Sequence, residues 1–340
     1  MKSDLVLITG ASGFVGKAVL AAARAQGISV RPVFRTAESA SDLGYSVDFK
    51  ATDSSTSSPL PDDTARDLPT SGYRATLVPT LDSDTDWHSA LSGVNVVIHC
   101  AARAHVTGAL VEFRQINVDG TLRLAQQAAE VGVRRFIFVS SIGVHGNTTS
   151  STPFKFNDQV SPHSPYAESK AEAEIKLKKL AQKTGMEVTI IRPPLVWGPG
   201  APGNIHRMVW ALNRNIPLPL GCVTRNRRSL VMLDNLVDLL LICVDHPGAA
   251  NQTFLVSDGE DLSTAELLRR LGAAIGYRAK LVHIPVSILR AAACLLGKRH
   301  MAEQLLGSLQ VDIEHTRHTL GWTPPISVDE GFRKMSEKRS

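Results

Sequence analysis

The chain has 340 residues, 43% hydrophobic and 20% charged, with a formal net charge of +5; this is the usage of a globular protein long enough to divide its core between two lobes. The positive balance is small and its Lys and Arg residues are scattered, so no nucleic-acid footprint is indicated. Cys100, Cys222, Cys243 and Cys294 stand far apart without CxxC spacing, which argues against a zinc site or a disulfide framework, and no metal is expected; buried free thiols are the better reading.

The first residues lead into a short apolar run that lacks a signal-peptide cleavage region, so the protein is expected in the cytoplasm. Leu5-Val6-Leu7-Ile8 is the pattern of a central parallel strand, and it meets a glycine turn. A helix is predicted from Phe14 to Gln26, and Gly27 then starts a second strand over Ile28 to Phe34. Thr36 to Thr76 has weak periodicity and collects Ser, Thr, Asp and Pro around Ser54 to Pro61; it reads as a surface insertion, partly mobile. Further strands are predicted at Val94–Val97, Phe136–Val139 and Val188–Ile191, alternating with helices over Phe113–Val131 and Tyr166–Thr184. This order predicts an α/β Rossmann fold, a doubly wound parallel sheet over residues 1–191.

Pro- and Gly-rich turns follow Ile191 and open a smaller, mostly helical substrate lobe over 192–340, discontinuous because a segment near 228–257 returns to the first domain. Within that stretch Thr253 to Val256 reads as a strand, and Ser263 with Glu266 forms a capping box. Val286 to Leu296 is apolar but interrupted by Arg290 and too short to span a bilayer. It is expected to be a core helix, with membrane-surface contact as the alternative; no stable insertion is expected.

Gly10, Gly13 and Gly16 follow a strand and begin a helix, where bare backbone lets a pyrophosphate approach the helix N-terminus. Ser12, Phe14 and Val15 share that turn. The second strand ends in Val33-Phe34-Arg35, with no carboxylate for a ribose hydroxyl. Arg35 offers a guanidinium suited to a 2′-phosphate, so NADP(H) is favoured over NAD(H), the alternative being that Arg35 stacks on the adenine or faces solvent. Ala101 and Ala102 are small where backbone must pass the cofactor, while His99 reads as structural. The strand over Phe136–Val139 delivers Ser140 and Ser141 to the carboxyl edge of the sheet. Tyr166 and Lys170, four apart on a helix, share one face, and a neighbouring ammonium is expected to lower the phenol's pKa. Ser141 can then hydrogen-bond the oxygen that exchanges its proton with Tyr166.

Over nearly its whole length the sequence resembles the extended short-chain dehydrogenase/reductases, specifically the NAD(P)-dependent epimerase/dehydratase family. The resemblance rests on Thr9 to Gly16, His99 to Ala102, Asn117-Val118-Asp119-Gly120-Thr121, Tyr166 to Lys170, Arg192-Pro193-Pro194 and Val196-Trp197-Gly198-Pro199. It implies a nicotinamide site that includes Pro193, with Leu81 near the adenine, and a UDP-linked sugar held by Ser141, Asn204 and an arginine on its diphosphate. Arg227 fits that arginine's spacing best, with Arg228 second. It also implies a homodimer through the helices beginning near Phe113 and Tyr166. Three departures stand out: Thr80 before Leu81 where an acid is usual, His145 in place of tyrosine before Gly146, and the long insertion after Arg35.

Finer details such as Asn226-Arg227-Arg228-Ser229-Leu230 and Leu320-Gly321-Trp322 resemble a branch acting in bacterial surface-polysaccharide (O-antigen) synthesis. That implies a reductase delivering hydride to C4 of a UDP-4-keto-6-deoxy-N-acetylhexosamine, favoured by Arg35, or alternatively a UDP-sugar 4-epimerase with tightly held NAD. A dehydratase fits less well, because Ile142-Gly143 follow Ser141 where an acid and a base would be required. A cofactor-binding protein without chemistry is disfavoured by the complete Ser, Tyr and Lys set.

Overall fold

The computed structural model describes residues 4–50, 73–104 and 106–337. β1 (Leu5–Thr9), α1 (Phe14–Ala25) and β2 (Ser29–Phe34) form the opening βαβ unit. α2 (Ala37–Ser41), β3 (Tyr45–Lys50), β4 (Tyr73–Leu77), α3 (His88–Leu91) and β5 (Val96–His99) follow. α4 (Leu110–Arg114) runs through a π-helical turn over Gln115–Gly120 into α5 (Thr121–Glu130), then come β6 (Arg135–Val139), α6 (Pro165–Thr184) and β7 (Glu187–Arg192).

Together with β10 (Thr253–Leu255), these strands build one parallel sheet in the order β10-β7-β6-β5-β1-β2-β4-β3. The chain therefore leaves β1 in one direction for β2 and returns on its other side as β5, the switch point at which open α/β sheets bind ligands. Alternate residues of β1 explain the layering. Val6 and Ile8 pack with Val19 and Leu20 of α1 and with Leu236 and Leu240 on one face, while Leu7 packs with Leu124 of α5 and Leu177 of α6 on the other. Both faces are covered, which is why these strands are almost uniformly apolar.

β3 and β4 lie inside the stretch read as a surface insertion. Residues 45–50 and 73–77 are instead the edge of the main sheet, β4 pairing β2 at Val33 and Phe34 and β3 pairing β4. The Ser54–Pro61 part of that reading lies outside the described residues.

After β7 come β8 (Leu195–Trp197), α7 (Asn204–Asn213), β9 (Arg228–Met232) and α8 (Leu233–Asp245); β11 (Asp261–Leu262) and α9 (Thr264–Ala274) follow β10. β11-β9-β8 form a second, three-stranded sheet. Of the stretch near 228–257, β9 belongs to this small sheet, whereas α8 packs on α1 and β10 joins the large one. The buried Arg135 of β6 holds α8 by its end, donating to the carbonyls of Cys243 (2.7 Å), Val244 (3.1 Å) and His246 (3.0 Å). Asp258 joins the two sheets, accepting from Trp197 Nε1 (2.6 Å), Met232 N (2.7 Å) and Asn235 Nδ2 (2.7 Å).

α10 (Val286–Leu295), α11 (Arg299–Leu306), α12 (Glu314–Leu320) and α13 (Val328–Glu337) complete the chain. α10 corrects the expectation of a core helix, since none of its residues is buried. Val286 and Leu289 rest against the core of the smaller lobe, whereas Ile288 and Leu295 face outward. Its apolar residues fall on both sides of the helix, Val286 and Leu289 on one and Ile288 and Leu295 on the other, so their spacing does not show that one side alone is covered. Cys294 is exposed on it, so the reading of buried thiols fails there, while Cys243 is buried and all four cysteines are free.

Candidate active site

The crevice at the switch point begins where β1 ends. Gly10 takes φ +68°, and a Cβ there would lie 2.8 Å from the backbone N of Ala101, so the loops after β1 and β5 touch only because this residue is glycine. A Cβ on Gly16 would strike the carbonyl of Gly10, which draws the first turn of α1 onto the same loop. Gly13 is the N-cap of α1 and gives no side-chain bond, there is no acid in the first turn, and Ser12 and Gly13 are exposed with Phe14 and Val15 half-buried. Free N–H groups at the start of a twelve-residue helix, at the switch point, fit the pyrophosphate of a dinucleotide. Ala101 and Ala102 line the opposite side, half-buried. Arg35 is exposed at the end of β2. Leu81 is half-buried and pinned from beneath, since a Cβ on Gly120 would stand 2.7 Å from its carbonyl carbon.

His99, wholly buried at the end of β5, lies between Thr9 Oγ1 (2.8 Å) and Thr121 Oγ1 (2.9 Å). Burial holds its pKa down at about 3, so it is a neutral cross-brace rather than a proton carrier.

β6 ends in two serines with different fates. Ser140 is buried and donates to Glu174 Oε1 (2.5 Å). Ser141 is half-buried and caps a short 3-10 turn, its Oγ accepting from Gly143 N (3.1 Å). The next residue, Ile142, is fixed by the carbonyl of Pro193 (2.9 Å), which sets the loop after β7 beside this turn. An ideal Cβ on Gly143 would lie 3.3 Å from Ser141 Oγ and 3.4 Å from Ala167 Cβ, so the serine turn packs on the first turn of α6.

Ser164 caps α6 by accepting from Ala167 N (3.2 Å), with Pro165 next in the chain. Tyr166 follows, half-buried and edge-on to Phe113 with ring centroids 6.4 Å apart. Lys170, one turn later, is buried; its Nζ donates to Val139 O (2.8 Å) and sits 4.3 Å from the centre of the Phe138 ring. Burial lowers the amine to about 8 and raises the phenol to about 12. The expectation of a phenol acidified by the lysine is thus not met by the protein's own groups, because burial raises the Tyr166 pKa and no lowering by Lys170 accompanies it. Asn117 reaches this helix from the π-helical turn, donating to Ser169 Oγ (3.0 Å) and closing on the backbone of Arg103.

The residue missed from sequence is Glu174. Tyr166, Lys170 and Glu174 form an i, i+4, i+8 stripe, and the Glu174 carboxylate binds Arg192 Nε (3.0 Å) and Nη2 (2.5 Å) besides Ser140. Arg192 also meets His145 Nε2 (2.7 Å), and burial followed by the Arg192 charge lowers the histidine's pKa. The spacing was the available signal.

The other residues implied for substrate lie apart from these, in the smaller lobe. Asn204, first residue of α7, donates to Gln304 Oε1 of α11 (3.2 Å). The exposed Arg227 turns back onto the carbonyls of Thr224 (3.3 Å) and Asn226 (3.2 Å). Arg228 has its guanidinium desolvated, its pKa lowered to about 10 with one bond to Gly307 O (3.1 Å). Spacing favours Arg227, whereas burial sets Arg228 apart as the one of the two with a desolvated guanidinium. Nearby is a cavity of about 1050 Å³ whose lining includes Thr148, Asn226, Arg225, Arg269 and Arg290 and no carboxylate. Ser141, Tyr166 and Lys170 are not among its lining residues.

Residues 6–257 match the NAD dependent epimerase/dehydratase family. The chain is 46% identical over 263 residues to a UDP-glucose 4-epimerase of Vibrio cholerae, covering 76% of this chain and 80% of that protein. Among solved structures, the UDP-glucose 4-epimerase of Thermotoga maritima with UDP-glucose has a TM-score of 0.72 at 21% identity, covering 98% of this chain and 97% of that one. The UDP-glucuronic acid 4-epimerase of Bacillus cereus in complex with NAD has a TM-score of 0.72 at 17% identity, covering 97% and 95%. At these identities the two structures speak for the fold.

Proposed function

The chain belongs to the NAD dependent epimerase/dehydratase family, and from that premise we propose that it inverts C4 of a UDP-linked sugar, with NAD retained through each cycle. The observation that carries this reading is the buried Lys170, one turn after Tyr166 on α6 and held through its Nζ by the carbonyl of Val139 just before the Ser140-Ser141 pair, at the carboxyl edge of a sheet whose helix N-terminus is free for a pyrophosphate. The name of the Vibrio cholerae relative supports inversion over net reduction.

Ser141 Oγ binds the C4 oxygen, and Tyr166 removes its proton and later returns it. A phenol near 12 is a poor base at neutral pH. NAD, when bound, would supply a reversible hydride acceptor at C4, and a cationic nicotinamide would favour the phenolate form that Tyr166 needs as a base. Gly10, Gly13 and Gly16 seat the pyrophosphate, and Leu81, Ala101, Ala102 and Pro193 border the dinucleotide. Arg228 and the cation-lined cavity receive the nucleotide diphosphate, and Asn204 meets the substrate from the start of α7. The division into residues 1–191, the returning stretch and the remaining lobe follows, with sugar and dinucleotide meeting between them. A homodimer through α4 and α6 fits the exposure of Val111 and Ile175, and light scattering checks it.

One observation favours a second reading. Arg35 stands where a carboxylate would reject a 2′-phosphate, which suits an NADPH-dependent reduction of a UDP-4-keto-6-deoxy-N-acetylhexosamine in surface-polysaccharide synthesis. Incubating the purified protein with UDP-glucose and with UDP-N-acetylglucosamine, and following both the C4 epimers and the reduced-cofactor absorbance, separates the two. Inversion without net cofactor change is the expected result. Stoichiometric NADPH oxidation with a 4-keto sugar would replace it with the reductase, and no turnover of any nucleotide sugar would end both readings.

A further inference from the structure

The exposed apolar residues of this molecule are unevenly spread. Val282, Ile288, Leu295, Leu296 and Met301 all belong to the short stretch around α10 and the start of α11. Leu295 and Leu296 are 89% and 69% exposed at the turn between those helices, and Ile288 is 56% exposed one face-repeat earlier. With Ala291 and Ala292 they make one continuous outward stripe, opposite the stripe of Val286 and Leu289 that contacts the lobe. Side chains this apolar, left in water at the apex of a helical hairpin, have the form of an interaction surface rather than of scattered surface residues.

The charges around the stripe have one sign. Between Glu266 and Glu303 the sequence contains no Asp or Glu, but it contains Arg278, Lys280, Arg290, Lys298 and Arg299 besides Arg269 and Arg270. Arg270 is engaged by Glu260, Glu266 and Asp329, and Arg299 by Glu303. Among the described residues, those carboxylates are the ones ion-paired to this stretch. Arg278, Lys280, Arg290 and Lys298 have no ion pair among the described residues. A second copy of the chain is a poor occupant, since a two-fold interface would set this cationic patch against itself.

We propose that the α10–α11 hairpin docks peripherally on an anionic lipid surface, Leu295, Leu296 and Ile288 entering the headgroup boundary and Lys280, Arg278 and Lys298 meeting lipid phosphates. No helix among the described residues is long and apolar enough to cross a membrane, so the contact is of the interfacial, salt-sensitive kind. It does not depend on which sugar reaction the enzyme performs.

Co-sedimentation of the full chain with vesicles of phosphatidylcholine alone, or of phosphatidylcholine mixed with phosphatidylglycerol, tests it. The protein is expected to pellet with the mixed vesicles alone and to be released by high salt. Leu295→Asp with Leu296→Asp should weaken binding at least about tenfold, and Lys298→Glu about tenfold, with unchanged melting temperature because these side chains are exposed. Absence of binding, equal binding to neutral vesicles, or indifference to both variants overturns the proposal. Self-association in light scattering that the Leu295→Asp, Leu296→Asp variant abolishes would also overturn it, by showing that a second copy covers the hairpin.

Discussion

Two regions meet at the end of β6 and differ in how their polar groups are satisfied. Behind the strand, Ser140, Glu174, Arg192 and His145 close on one another in a buried network. In front of it, Ser141 is engaged by one backbone N–H and Lys170 by one carbonyl. The same loop and the same helix supply both regions, a residue apart on one and a turn apart on the other. The rear region spends its hydrogen-bonding capacity within the protein and fixes the backbone. The front region keeps capacity for a substrate oxygen, which is affordable only because its backbone is already fixed.

Substitutions on either side of that division should therefore fail differently. Tyr166→Phe should lower kcat by about 10²–10⁴-fold with the melting curve unchanged, checked by steady-state kinetics and calorimetry. Glu174→Gln should do the reverse, costing about 3–5 kcal/mol in denaturant unfolding because it leaves the Arg192 guanidinium buried without its carboxylate. Equal damage to stability from both would erase the distinction. Arg228→Met should raise KM for the nucleotide sugar about tenfold with little change in kcat, whereas Arg227→Met should leave both nearly unaltered.

A pH experiment sharpens the comparison further. The Lys170 amine falls from an ordinary 10.5 to about 8, so the ammonium is lost as pH rises through about 8 and turnover that requires it should decline there. Stability should move oppositely. Between about 8 and 10.5 the unfolded chain holds a proton that the folded chain has released, so this group's contribution to stability grows with pH. Lys170→Met should abolish that rise in a set of thermal melts, and a rise that persisted would assign it elsewhere.

The parallel sheet was legible because Leu5–Ile8, Phe136–Val139 and Val188–Ile191 are buried on both faces and read as continuous apolar runs. The glycine turn and the tyrosine–lysine pair were legible because they are local in sequence. β3 and β4 were not: β3 is the edge strand, β4 lies between it and β2, and the pairings that make them strands join segments distant in sequence without a long apolar run in either. Nor was the partnership of Glu174 with Arg192, which depends on packing between a helix and a strand. Arg227 and Arg228 are neighbours with the same chemistry, and only the fold says which of them loses its water.

The placement of β3 has a consequence for how the molecule assembles. It pairs with β4 and not with β2, although β2 precedes it in the chain. β3 therefore has no neighbour until a strand made later has docked, and among the described strands it is then held along one side alone, by β4. Hydrogen exchange should find this edge opening before β1, β5 and β6, leaving the strands that carry the glycine turn and the serines undisturbed.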